Sequence, residues 1–104
     1  MMVKLIADNM AHITSLCCKY GVAKLEVFGS AADGAVFDPA RSDLDFLVEF
    51  QRTDAMDAAD QYFGLLDELQ THLGVRVDLV CARAMRNPYF IRSVNQSRRL
   101  LYAA

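Results

Sequence analysis

Two short runs with strand-like alternation, residues 43–50 and 75–81, flank a long segment with helical periodicity, and this order constrains the fold more than any other feature. Between residues 54 and 73, Met56, Ala59, Phe63, Leu66, Leu69 and Leu73 recur every three or four positions. Asp54 is placed to act as N-cap and Gly74 as the C-terminal stop. A helix of this length between two strands carries the chain back to the starting edge of the sheet, so the flanking strands are expected to run parallel through a right-handed crossover. In the first of them, Leu44, Phe46, Val48 and Phe50 share one face while Asp43, Asp45, Leu47 and Glu49 share the other. The later strand places Val75, Val77, Leu79 and Cys81 on one face and Arg76, Asp78 and Val80 opposite.

Elsewhere the pattern predicts a helix over 3–20 stopped by Gly21, and a strand over 24–28 running into Gly29-Ser30. It also predicts a loop over 31–42 containing Asp33-Gly34 and Pro39, and a last helix over 89–102 opened by Asn87-Pro88. Phe90, Ile91, Val94 and Leu101 would form the apolar stripe of that last helix. The first two strands are expected to be antiparallel. The fold class that follows is α/β: a small mixed β-sheet with helices packed on one face and the other face at least partly open. At 104 residues, the chain is expected to form a single domain over 1–104.

The 13 acids and 11 bases give a net charge of -2, so a general, field-driven nucleic-acid binder is not expected. The charge is unevenly placed: Asp54, Asp57, Asp60, Asp67 and Glu68 occupy a stretch without a base, while Arg83, Arg86, Arg92, Arg98 and Arg99 lie in a final stretch without an acid. Each reads either as a solvated face or, at the basic end, as a surface for an anion or a partner. No apolar run reaches the roughly 20 residues of a membrane span, and the opening residues do not continue as a signal peptide, so a cytoplasmic location is expected. Cys17, Cys18 and Cys81 have poor spacing for a bridge or zinc and are read as reduced residues in or near the core. His12 and His72 lie far apart in sequence and are read as surface or helix-end residues.

Aspartate is depleted in strands, and two at positions i and i+2 point the same way roughly 7 Å apart, where their charges repel. With Asp78 from a neighbouring strand, Asp43 and Asp45 make three carboxylates on one surface, a donor set that a hard divalent cation would neutralise. Mg²⁺ is the natural ion, since it prefers oxygen ligands and accepts phosphate oxygens in its remaining positions. Taken alone, the Asp-x-Asp pair reads equally well as a turn residue followed by an exposed strand position. Gly29-Ser30 directly after a strand allows a turn whose amides and hydroxyl approach an anion, although most such pairs are ordinary turns. A P-loop and a dinucleotide-binding glycine motif are both missing from the sequence.

Together, Phe28-Gly29-Ser30, Ser42-Asp43-Leu44-Asp45 and Val77-Asp78-Leu79-Val80 resemble the minimal nucleotidyltransferases of the DNA polymerase β superfamily. The resemblance runs from about Leu5 to Tyr102. It implies a DNA polymerase β-like fold in which Asp43, Asp45 and Asp78 are catalytic and ligate divalent metal, two Mg²⁺ ions or Mn²⁺. It further implies that Gly29 and Ser30, with Ser42 and Arg41 nearby, bind the nucleotide. The implied reaction is AMP transfer from ATP to a hydroxyl, and the implied partner is a HEPN-domain toxin modified on tyrosine, for which this chain would be the antitoxin. The alternative is an antitoxin that inhibits by occlusion without catalysis. The sequence departs from the family pattern in two respects. Ala31-Ala32-Asp33-Gly34 lacks the arginine often found just after the serine, and twelve residues separate Ser30 from Asp43, with Arg41 the only cation among them.

Overall fold

The structure is a computed structural model that describes residues 3–33, 38 and 43–104. Helices α1 (Lys4–Ala7) and α2 (Met10–Lys19) precede strand β1 (Val22–Phe28) and the short helix α3 (Ser30–Asp33). Strand β2 (Leu44–Phe50), helix α4 (Ala58–Leu73) and strand β3 (Val77–Cys81) follow, and the chain ends with α5 (Pro88–Ser97) and β4 (Arg99–Ala103). The sheet order is β3-β2-β1-β4, with β2 and β4 antiparallel to β1 and β3 parallel to β2. The α4 crossover and the antiparallel β1/β2 pair therefore match the expectation from sequence. Among the described residues, no helix is long and apolar enough to cross a membrane.

Four local expectations are corrected. The first helix breaks because the Asn9 side-chain amide donates to Leu5 O at 2.7 Å, occupying the carbonyl that the next backbone turn would use. Helix α4 begins later than predicted because Asp57, not Asp54, caps it, accepting from Asp60 N–H at 2.8 Å. Its buried face is Gln61, Leu65, Leu69 and Leu73, whereas Phe63 is 64% exposed. Gln61 holds the core position because its amide donates to Tyr20 O at 3.0 Å and Gln51 O at 2.9 Å, joining α4 to the backbone just after α2 and just after β2. The predicted helix over 89–102 stops at Ser97, and the residues after it form the edge strand β4.

That last difference has a tertiary cause. Arg98 adopts extended geometry at the end of α5, and its guanidinium donates from Nε to Glu26 Oε2 at 2.9 Å and from a second nitrogen to Glu26 Oε1. Glu26 is only 6% exposed, so a helix continuing past Ser97 would strand a buried carboxylate as well as the free edge of β1.

The main core lies on one face of the sheet, where Leu25, Val27, Leu44, Phe46, Val48, Val77 and Leu79 meet Ile6, Ile13, Leu16, Leu65 and Leu69 from the helices. A smaller cluster of Phe28, Leu47 and Val94 shows α5 crossing part of the opposite face. Asp45 and Asp78 belong to that second face by the alternation of the strands. Within the helical layer, the His12 and His72 rings stack with centroids 3.4 Å apart, a tertiary pairing of residues distant in sequence. Cys17, Cys18 and Cys81 are free thiols, and burial pushes Cys17 up to about 12.

Two stability measurements check this packing. A Cβ added at Gly64 would collide with Cε1 of Tyr20, whose hydroxyl donates to Glu68. Gly64→Ala should therefore lower stability in urea by about 1–3 kcal/mol despite the better helix propensity of alanine; a gain would show that the Tyr20 ring yields freely. The Arg98 guanidinium, assisted by Lys24, holds the Glu26 carboxyl below the usual carboxylate range against the opposing effect of burial. A depressed value contributes stability above the unfolded value and loses it as pH falls through the folded one. Glu26→Gln should cost about 1–3 kcal/mol at pH 7, and the gap from wild type should narrow below about pH 4 in thermal melts.

Candidate functional site

The site forms at the end of the sheet where β1 finishes and β2 and β3 begin. Phe28 lies opposite Asp45 in the antiparallel ladder, and Asp45 lies beside Asp78 in the parallel one, so both carboxylates emerge next to the β1 turn. Gly29 makes that turn with φ +74°, and a Cβ there would lie 2.7 Å from Asp45 Oδ2. Only glycine satisfies both the left-handed backbone and the approach of the carboxylate. Ser30 opens α3, and the turn is closed by Ala32 N–H donating to Gly29 O at 3.1 Å. Ala31 and Ala32 are fully packed into the main core, so the residues that follow the serine serve packing.

Asp45 is half-buried while Asp78 is exposed. Burial pushes the Asp45 carboxyl up to about 6, and the neighbouring Asp78 and Asp43 charges push it in the same direction. Like charges side by side in a ladder are destabilising, and among the described residues no side-chain cation forms an ion pair with Asp45 or Asp78. Asp43 stands just before β2, and its Oδ1 pairs with Arg76 Nε at 2.9 Å. The structure thus brings Asp45 and Asp78 together, with Asp43 adding its charge from a position held by Arg76. Among the described residues, no three His, Cys, Asp or Glu side chains converge tightly enough to grip one ion. The chemistry of the donor set nonetheless fits a hard divalent cation: a carboxylate whose charged form is disfavoured by burial and by two neighbouring carboxylates gains most from a shared positive charge. Arg41 and Ser42 lie outside the described residues.

Two residues at this site escaped the sequence reading. Arg76 was legible only as a polar strand-edge position, yet it joins the site twice, through its side chain to Asp43 and through its carbonyl, which accepts from Leu44 N–H at 2.9 Å. Ser97 carries no motif at all; its Oγ accepts from Gly29 N–H at 2.8 Å. A cleft of about 370 Å³ lined by His12, Asp67, Glu68, Thr71 and His72 lies on the helical layer and includes none of the site carboxylates.

Comparison with known proteins gives the chain a family and a set of structural neighbours. The nucleotidyltransferase domain family matches residues 10–101. The chain is 39% identical over 79 residues to a Methanocaldococcus jannaschii protein named "Putative protein adenylyltransferase MJ0128", covering 75% of this chain and 74% of the relative. It superposes with TM-score 0.74 and 30% identity on a solved "putative minimal nucleotidyltransferase", with 95% of each chain covered. At 21% identity and TM-score 0.64, its fold also matches a chain from the complex of a tri-AMPylated Shewanella oneidensis HEPN toxin with an MNT antitoxin, covering 94% of this chain and 72% of that one. The family match spans the Gly29 turn and Asp43, Asp45 and Asp78, and the chain belongs to the nucleotidyltransferase domain family.

Proposed function

We propose that this chain is a Mg²⁺-dependent protein adenylyltransferase that moves AMP from ATP to a tyrosine hydroxyl of a HEPN-type partner and so acts in the cytoplasm as that partner's antitoxin. The observation that carries the reading is the pair of neighbouring carboxylates, Asp45 and Asp78, on an open sheet face against the Gly29 turn. The adenylyltransferase name of the Methanocaldococcus relative supports AMP as the group transferred and protein as the acceptor. The Shewanella complex supports a HEPN protein as the partner.

In this reading Gly29 and Ser30 receive the triphosphate, with Ser42 and Arg41 assigned to the same task. Asp43, Asp45 and Asp78 would hold Mg²⁺, which when bound supplies positive charge for the phosphate oxygens and the attacking oxygen. The acceptor oxygen bonds to the α-phosphorus, the bond from that phosphorus to the bridging oxygen of the β-phosphate breaks, and pyrophosphate departs. The hydroxyl gives up its proton to solvent at this open face as it attacks, since carboxylates that hold a divalent cation take up a proton poorly. The Arg76 pair holds Asp43 at the mouth of the cluster, and Asp43 would have to give up that partner to help hold the ion.

A second reading, inhibition by occlusion alone, is favoured by the stretch Ala31-Ala32-Asp33-Gly34, which lacks the arginine the family often carries there. Mass spectrometry separates the two. Wild type with its HEPN partner, ATP and Mg²⁺ should add AMP to a partner tyrosine, and chelation or Asp45→Asn should abolish the addition while partner binding survives. An unmodified but neutralised partner would establish occlusion instead. Gly29→Ala, which drives a methyl against Asp45, should weaken ATP–Mg²⁺ binding at least tenfold by calorimetry; unchanged affinity would remove the turn from the nucleotide site.

A further inference from the structure

We infer that Ser97 is a positioning residue for nucleotide binding: it sets the Gly29 turn against Asp45 by accepting the hydrogen bond of the Gly29 N–H. The inference rests on the nucleotide role proposed for that turn, and it adds a residue that neither the motif nor the strand carboxylates identify.

The bond from Gly29 N–H to Ser97 Oγ is 2.8 Å long, partly buried, and spans 68 positions of sequence. It acts at the one place where backbone freedom matters most to the site. Gly29 has φ +74°, its backbone stands so near Asp45 that a Cβ would lie 2.7 Å from Oδ2, and a glycine has more conformational freedom to lose than any other residue. Without a partner for its N–H, the turn would have to be ordered by the nucleotide itself, and that ordering would subtract from affinity.

The hydroxyl is itself held from both sides. Ser97 is the last residue of α5, whose Val94 is buried against Phe28 and Leu47. The next residue, Arg98, is fixed by both oxygens of Glu26 and also donates to Asn95 Oδ1 at 2.7 Å. Glu26 and Gly29 lie three residues apart on one chain segment, and Ser97 and Arg98 are adjacent on the other. The two contacts therefore form a short clamp across β1 and its turn. Because the Gly29 N–H is committed to Ser97, Gly29 serves the triphosphate through the shape of the turn and not through its own amide.

The test compares Ser97→Ala, Ser97→Cys and Ser97→Thr with wild type, using ATP–Mg²⁺ as the probe. In the alanine and cysteine variants, exchange of the Gly29 amide should accelerate. Calorimetric Kd and KM for ATP should rise about fivefold to tenfold, with kcat within about twofold and thermal midpoints close to wild type. Threonine, which keeps the hydroxyl, should restore both exchange protection and affinity. Faster Gly29 exchange with unchanged Kd and KM would overturn the inference and reduce the bond to a packing role, as would a loss confined to kcat. If alanine does not fold, the cysteine and threonine pair decides the outcome on the same readouts. A wild type that neither binds ATP–Mg²⁺ nor transfers AMP would overturn the proposed function itself, and the inference with it, whereas the exchange data would still report whether Ser97 orders the turn.

Discussion

The ion pair between Glu26 and Arg98 ties the final segment of the chain to its first strand, and the rest of the sheet depends on it. Glu26 sits in the strand that pairs on both sides, with β2 on one edge and β4 on the other. A carboxylate that is 6% exposed there is destabilising unless a cation meets it with good geometry, and Arg98 does so through two nitrogens. Lys24 adds a longer contact at 3.6 Å. The same arginine ends α5 and starts β4, so one electrostatic requirement converts a helical stretch into an edge strand and aims α5 across the face that carries the site.

The site is built at a cost that the rest of the fold offsets. Asp45 and Asp78 repel each other in a parallel register that a purely structural sheet would fill with apolar or opposite-charge pairs. The opposite face carries the compensation, a continuous core into which Phe46, Leu44 and Val48 of the same strand are fully buried. One strand thus serves both purposes through simple alternation: Asp45 lies on the candidate-site face beside Asp78, and the even-numbered apolar residues anchor the strand in the core. Leu47, on the site face, packs with Phe28 and Val94 and lets α5 approach without covering the carboxylates.

The helical layer shows how polar groups refine a core that apolar patterning only sketches. Gln61 occupies an interior position of α4 and serves two backbone carbonyls, while Tyr62 leaves the layer to donate to Leu79 O at 2.7 Å on β3. Tyr20 and Lys19 at the end of α2 both reach Glu68 of α4, and Gly64 leaves the room that the Tyr20 ring takes. Each contact joins elements far apart in the chain, and each locates a helix more narrowly than hydrophobic burial, which is non-directional, can do.

Much of the architecture and the heart of the candidate site were legible in the residues alone. Alternation in β2 and β3 separates core from acids, Gly74 ends α4 in the left-handed conformation as its type and place suggest, and Asn87-Pro88 opens α5. The family motif likewise singled out Gly29, Ser30, Asp43, Asp45 and Asp78, because strand acids and a turn glycine are unusual choices that local structure does not favour. What local pattern left open was decided by distant partners. The residues of β4 carry apolar spacing compatible with a helix, and only the free edge of β1 and the buried Glu26 make them a strand. Phe63 shares the helical period of the core yet faces out because Gln61 and Leu65 define the buried side. The partners Arg76 for Asp43 and Ser97 for Gly29 follow from register and from the path of α5, which side-chain periodicity does not encode. Sequence by itself determined which residues are expensive and therefore informative; tertiary structure decided which of them meet, since hydrogen bonds and ion pairs act over a few ångströms of space and not along the chain.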